Sequence, residues 1–185
     1  MLRKMRGFTL IEMLIVVAII GILAALLIPN AMSALQKAKQ KGTMKDVNTL
    51  ATGIMDHITD KGTAPATSGT QLSETDTLVG ALRGFYLKTV PIKDQWGHNL
   101  YASTGTTCQS NEFGIGLPTG QDAWGDDEFI VGSSGRNDDC TDFGAWDEED
   151  PYAGLYEVST MNDFNKEIVN WNGSLVIGPR AGTGT

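Results

Sequence analysis

The sequence predicts an α+β protein in which one long N-terminal helix packs on a small antiparallel sheet joined by long loops. Three observations carry this. Phe8 to Ile28, FTLIEMLIVVAIIGILAALLI, is an apolar run of about 21 residues that ends before Pro29. Val47, Leu50, Ala51, Ile54 and Ile58 then recur at three- and four-residue spacing, which makes one apolar stripe on a helix. Beyond residue 62 the texture changes to short runs such as NLYAS and EFIVGSS, separated by Gly, Pro and Asn, as in a sheet with loops.

Residues 1–7, MLRKMRG, are short and basic and read as a leader. The apolar run after them is long enough, at about 1.5 Å per residue, to span the roughly 30 Å hydrocarbon core of a bilayer. A secretory signal peptide has a shorter apolar region followed by small residues. Ala24-Ala25 would serve, but the run continues through Leu26-Leu27-Ile28. The basic stub stays on the cytoplasmic side, and everything after Pro29 lies outside. The stem helix is therefore expected over 8–61, with 8–29 transmembrane, and a globular domain over 62–185. Pro29 and Gly21 are places for the helix to kink or melt, the polar stretch Ser33 to Thr43 with Gly42 leaves that half of the stem less firmly held, and Lys61-Gly62 is a stop.

In the globular part, GTAPATSGTQL (62–72) reads as a loop, and Ser73 with Asp76 caps a short helix through Leu82. Strands are expected at 99–103, 112–116 and 128–134. A strand or turn at Leu155–Val158, a short helix near Asn162–Asn170 and a strand at Ser174–Ile177 complete the chain.

Charge is as uneven as hydrophobicity. Seven of the 14 Lys+Arg precede residue 46, where Glu12 is the only acid. The rest carries 7 basic against 21 acidic residues, a balance that repels nucleic acid. Cys108 and Cys140 both lie in this acidic part. If it is exported, a Cys108–Cys140 disulfide is the expected state, with two free thiols the alternative.

Glu12 is the anomaly. A carboxylate within a bilayer costs about 2.5–3.5 kcal/mol on insertion scales and calls for a partner. Cleavage between Gly7 and Phe8 would create one, a cationic α-amine, which a neighbouring helix displaced along a bundle presents more directly than Glu12's own. Such a pair sets the register between subunits, so the segment reads as an assembly device.

The stretch GFTLIEMLIVVAIIGILAALLIP, with its basic leader, Gly7, Phe8, Thr9, Leu10, Glu12 and Pro29, resembles the processing and transmembrane motif of type IV pilins and type II secretion pseudopilins. The resemblance implies that a prepilin peptidase cuts after Gly7 and methylates the Phe8 nitrogen, and that Glu12 guides docking. It also implies a homopolymeric filament, an inner-membrane assembly platform, minor pilins or pseudopilins as partners, and membrane lipid around the helix before assembly. The segment GFYLKTVPIKDQWGHNLYAS (84–103) resembles the proline–acid–tryptophan–glycine stretch of the G-type major pseudopilin, and FIVGSSGRNDDCTDFGAWD (129–147) resembles that family's second loop. Pro91 and Gly97 set a turn there, and Trp96 supplies packing surface for the stem.

In that family the second loop binds calcium, which implies Asp138, Asp139, Asp142 and Asp147 as ligands with carbonyls around Gly132–Ser134. From Asp122 to Asp150 there are eleven acids and only Arg136 to balance them, and calcium takes six to eight oxygens. A solvated acidic surface is the alternative. The cysteine pair and the 39 residues after Trp146 depart from the pseudopilin pattern, and they keep a surface pilin for adhesion, motility or DNA uptake as the second reading.

Enzymatic motifs are absent from the sequence. Gly132-Ser133-Ser134-Gly135 misses the spacing of a nucleophile elbow, and Gly114-Ile115-Gly116 is too short for a dinucleotide loop. His57 falls on the stem surface and His98 in the turn beside Trp96, both structural positions. Tyr152, Tyr156 and Trp171 either present an adhesive aromatic cluster or close a small core, with core the favoured reading.

Overall fold

The computed structural model describes residues 7–68, 70–117, 120–141 and 153–180. The chain divides into two compact units, one ending at Lys37 and one beginning at Ala38. Helix α1, Leu10–Lys61, is the only long helix among the described residues. It remains helical through both Gly21 and Pro29, the places expected to kink or melt. Pro29 removes one backbone donor, but an apolar stretch offers its other peptide groups no partner except the helix itself.

In the second unit the predicted stripe is the inward face. Val47, Leu50, Ala51 and Ile54 are buried with Leu72, Leu78, Val79, Leu82, Leu100, Phe129, Val131 and Ile168, and Ile58 packs at the edge. Each such aliphatic side chain contributes about 1.5–3 kcal/mol on burial. The end of the polar stretch is also tightly held, contrary to expectation. A Cβ on Gly42 would meet Gln95 Cγ at 2.7 Å, so the missing side chain is what lets the loop approach. There the Gln95 backbone N–H donates to Thr43 Oγ1 (3.2 Å) and its amide to Asp46 Oδ2 (2.6 Å).

Helix α2, Thr77–Leu82, is capped by Asp76 rather than Ser73, since Asp76 Oδ1 accepts the Leu78 N–H (2.9 Å). The sheet comprises β1 (Tyr101–Thr104), β2 (Phe129–Ser133), β3 (Leu155–Tyr156), β4 (Ile168–Trp171) and β5 (Ser174–Pro179), in the order β1-β2-β4-β5-β3. Four strands are antiparallel as predicted. β3 joins the edge of β5 in parallel, Leu155 opposite Gly178, so the sheet is mixed.

Two predicted elements are replaced. The run at 112–116 alternates like a strand, yet Asn111 folds it into a turn. Its Oδ1 accepts from Phe113 N and Ile115 N (3.1 Å each), and both apolar side chains still enter a second core with Tyr101, Trp124, Ile130, Val169 and Ile177. The helix expected near 162–170 is a 3-10 helix at Met161–Phe164 followed by β4. Asn172-Gly173, with φ of 47° and 87°, turns β4 back as β5, the positive-φ pair that two-residue hairpins require.

Candidate functional site

The N-terminal unit presents Gly7 and Phe8 ahead of the first helical turn. A Cβ on Gly7 would have nothing within 4 Å, and Phe8 is 78% exposed. Leu10, Ile11, Leu14, Ile15, Val17, Ile19, Ile20, Ile22 and Leu23 are all exposed as well. A helix apolar on every side is stable only inside lipid or protein. Its length and composition suffice to cross a membrane.

Glu12 stands in this sleeve as the only acid of the segment. Its Oε2 accepts the Thr9 N–H (2.8 Å) and Thr9 Oγ1–H (2.7 Å), while the Glu12 N–H donates to Thr9 Oγ1 (3.3 Å). This is a reciprocal cap of the first turn. The cap occupies Oε2 without neutralising the carboxylate's charge. The role of Thr9 was hidden in the sequence, although the T-x-x-E spacing signals it.

In the second unit, the P-I-K-D-Q-W-G-H turn centres on Asp94, which sequence reasoning passed over. Asp94 is 6% exposed, and its Oδ1 accepts the backbone N–H of Trp96, Gly97 and His98 (2.8–2.9 Å). Its Oδ2 accepts Ser133 Oγ–H (2.8 Å), and Ser133 Oγ accepts Gly135 N–H (3.1 Å). His98 Nδ1 lies 3.0 Å from Gly135 O, a structural role as expected. Asp94 thus staples the tryptophan turn to the root of the acidic loop. Gly97, at φ 100°, allows the reversal.

Past that root, Asp138 sits at φ 57° with its Oδ1 accepting from Ser134 Oγ (2.9 Å), and Asp139 Oδ1 accepts from Thr141 N and Oγ1 (3.0 and 2.8 Å). Asp142 and Asp147 lie outside the described residues. Among the described residues no three His, Cys, Asp or Glu side chains converge as for a metal ion. The structure therefore brings two of the four expected ligands onto one loop but does not assemble a coordination sphere from them.

The expected Cys108–Cys140 bond is not formed, and both residues are free thiols. Cys108 is buried on the 3-10 helix Gly105–Ser110 with its Sγ directed at Glu128 O (3.8 Å), and Cys140 packs on the same core beside Tyr101. Burial, helped by Glu128, pushes the Cys108 thiol up to about 12. Burial likewise raises Cys140 to about 11 against a hydrogen bond with Tyr101. Both shifts favour the protonated thiol at neutral pH.

Of the three aromatics beyond Trp146, Trp171 packs edge-on to Trp124 (5.9 Å between centroids), and the half-buried Tyr156 receives a hydrogen bond from Gln40 on α1 (3.3 Å). Both close the core, the favoured reading; Tyr152 lies outside the described residues. Nearby, Asp163 caps its 3-10 helix. Its Oδ2 accepts Ser159 N (3.0 Å), Thr160 N (2.7 Å) and Thr160 Oγ1 (2.9 Å), and its Oδ1 lies 3.0 Å from Lys166 Nζ. Against the opposing effect of burial, these bonds hold the carboxyl well below the usual aspartate range. A depressed folded-state value means stability that is complete above the unfolded value, near pH 4, and lost as pH falls further. Asp163→Asn should lower the neutral-pH stability by about 1–3 kcal/mol, and the gap between variant and parent in thermal unfolding should close below about pH 4.

Comparison with known proteins follows this division of the chain. The family described as "Prokaryotic N-terminal methylation motif" matches residues 2–28, the segment holding Gly7, Phe8 and Glu12. The type II secretion system core protein G of Pseudomonas aeruginosa is 30% identical over 156 residues, covering 78% of this chain and 97% of that protein. The protein of the same name from Vibrio cholerae is 29% identical over 155 residues, covering 80% and 97% respectively. The one from Escherichia coli K12 is 33% identical over 102 residues, covering 52% and 70%. No solved structure gives a significant match. With an N-terminal methylation motif on an all-round apolar helix and 30% identity to a core protein G covered over 97% of its length, the chain belongs to the family of type II secretion system core protein G.

Proposed function

We propose that this chain is the major structural subunit of a type II secretion pseudopilus and has no catalytic role. The observation that carries the reading is the exposed apolar half of α1 with Glu12 as its sole acid, on a chain similar to core protein G along most of its length. The precursor sits in the inner membrane with residues after Pro29 in the periplasm. A prepilin peptidase removes residues 1–7 and methylates the Phe8 nitrogen. At the assembly platform, Glu12 of the incoming subunit exchanges its Thr9 cap for the Phe8 amine of its neighbour. The apolar helices then pack against one another and protein contacts replace lipid. Minor pseudopilins are the expected partners at the filament tip.

We also propose that the acidic loop takes up calcium through Asp138, Asp139, Asp142 and Asp147. The support is the density of unbalanced carboxylates and the Asp94 staple, which fixes the loop's root. The ion would offset the repulsion between carboxylates and tie the loop down. Thermal unfolding of the protein with calcium, then with excess chelator, tests this. Calcium at a hundred times its dissociation constant should add about 2.7 kcal/mol to stability. An unchanged melting temperature would return the loop to a solvated surface and leave the filament assignment standing.

A further inference from the structure

Within the second unit, the outward face of α1 is basic. Lys41 and Lys45 are exposed one helical turn apart, and with Met44, Asn48, Thr49 and Thr52 they line a shallow groove of about 450 Å³. Among the described residues neither lysine pairs with a carboxylate, although the chain from residue 46 onward holds 21 acids. Asp126 and Asp127 are the converse. Both are exposed, and neither meets a cation among the described residues. Their place on the fold is set by the Ala64 N–H, which donates to Asp126 O (2.8 Å) and moors that loop beside the C-terminal end of α1 at Lys61. Along the helix axis the acidic pair therefore lies roughly 24 Å beyond Lys45, at 1.5 Å per residue. One chain cannot bring these groups together, but two copies offset along a common axis can.

The geometry points to the Lys41–Lys45 groove as a docking surface for the Asp126–Asp127 loop of a second copy of this chain, displaced along the filament axis by about one 24 Å step. The inference rests on the filament reading above and adds a register contact to it. Paired charges at the edge of an interface mainly select partner and register, whereas like charges placed opposite one another are strongly disfavoured. A repeating pair of this kind would hold the periplasmic bodies in step while the apolar helices supply cohesion.

The test uses the full chain in cells with its own secretion system, with sheared filaments quantified against total processed subunit. The Lys41→Glu, Lys45→Glu variant should be cleaved and membrane-inserted normally yet yield roughly tenfold fewer filaments. Adding Asp126→Lys and Asp127→Lys to the same chain should restore them. In parent-like filaments, Lys45→Cys paired with Asp127→Cys should give a disulfide-linked ladder of subunits under oxidation. Normal filament yield from the lysine-reversed variant would overturn the contact, as would loss without rescue by the charge swap. Loss without rescue, together with weakened pelleting on anionic phosphatidylglycerol vesicles, would assign the lysines to lipid headgroups instead. A parent chain that enters no filaments would refute the underlying assembly reading, an outcome distinct from all of these.

Discussion

Cells expressing the Gly7→Leu variant should accumulate uncleaved precursor, with mature subunit falling at least roughly tenfold. The reasoning starts from Gly7 itself. It lies ahead of the helix with open space where a Cβ would project, so nothing in the folded chain requires glycine there. On the processing reading proposed above, a peptidase brings its catalytic groups against the backbone at this bond, an approach a side chain would obstruct. Folding should be untouched, because a side chain at Gly7 has open space around it. Immunoblotting resolves precursor from product by the seven-residue leader. Normal amounts of mature product from this variant would move the cleavage site elsewhere.

The Glu12→Ala variant should be processed and inserted as the parent is, and yet assemble about a hundredfold less. Removing one member of a charge pair inside an apolar bundle strands the other at a cost of about 3–5 kcal/mol. A second variant separates this from the cap. Gln can still accept from Thr9 N and Oγ1, so Glu12→Gln preserves the first turn and removes only the charge. Assembly lost in both variants identifies the charge as the docking element. Assembly retained in Glu12→Gln would reduce Glu12 to a helix cap.

The N-terminal half of this account was legible because its signals are local and strong. An apolar run of membrane length, one acid inside it and a glycine before it need no tertiary context to be read. The stripe from Val47 to Ile54 was equally plain, since a helix writes its buried face at fixed spacing. The sheet was harder. The alternation at 112–116 obeyed the strand pattern, but Asn111 used both ends of its amide to close a turn, and tertiary burial of Phe113 and Ile115 imposed the same alternation. The hairpin at Asn172-Gly173 carried a recognisable turn pair, which was overlooked when residues 162–170 were read as helical. The parallel edge strand β3 depends on long-range docking, and no short window predicts it.

At the candidate sites the same contrast holds. Gly7, Phe8 and Glu12 stand out in the sequence as candidates, whereas Thr9's cap and Asp94's staple appear only once hydrogen bonds are traced. Asp94 looked like one acid among many. Its burial, and its bonds to three successive backbone N–H groups and to Ser133, set it apart. A cysteine pair in an exported acidic domain suggests a bond, whereas the fold gives each thiol its own contact, one beneath Glu128 O and one beside Tyr101.

The central claim is that the processed chain, joined through its N-terminal helix, is the repeating unit of a secretion filament. Intact-mass analysis and N-terminal sequencing of filaments sheared from secretion-competent cells test it most directly. The principal subunit should begin at an N-methylated Phe8. Filaments lacking this chain, or containing it with Met1 still in place, would contradict the account.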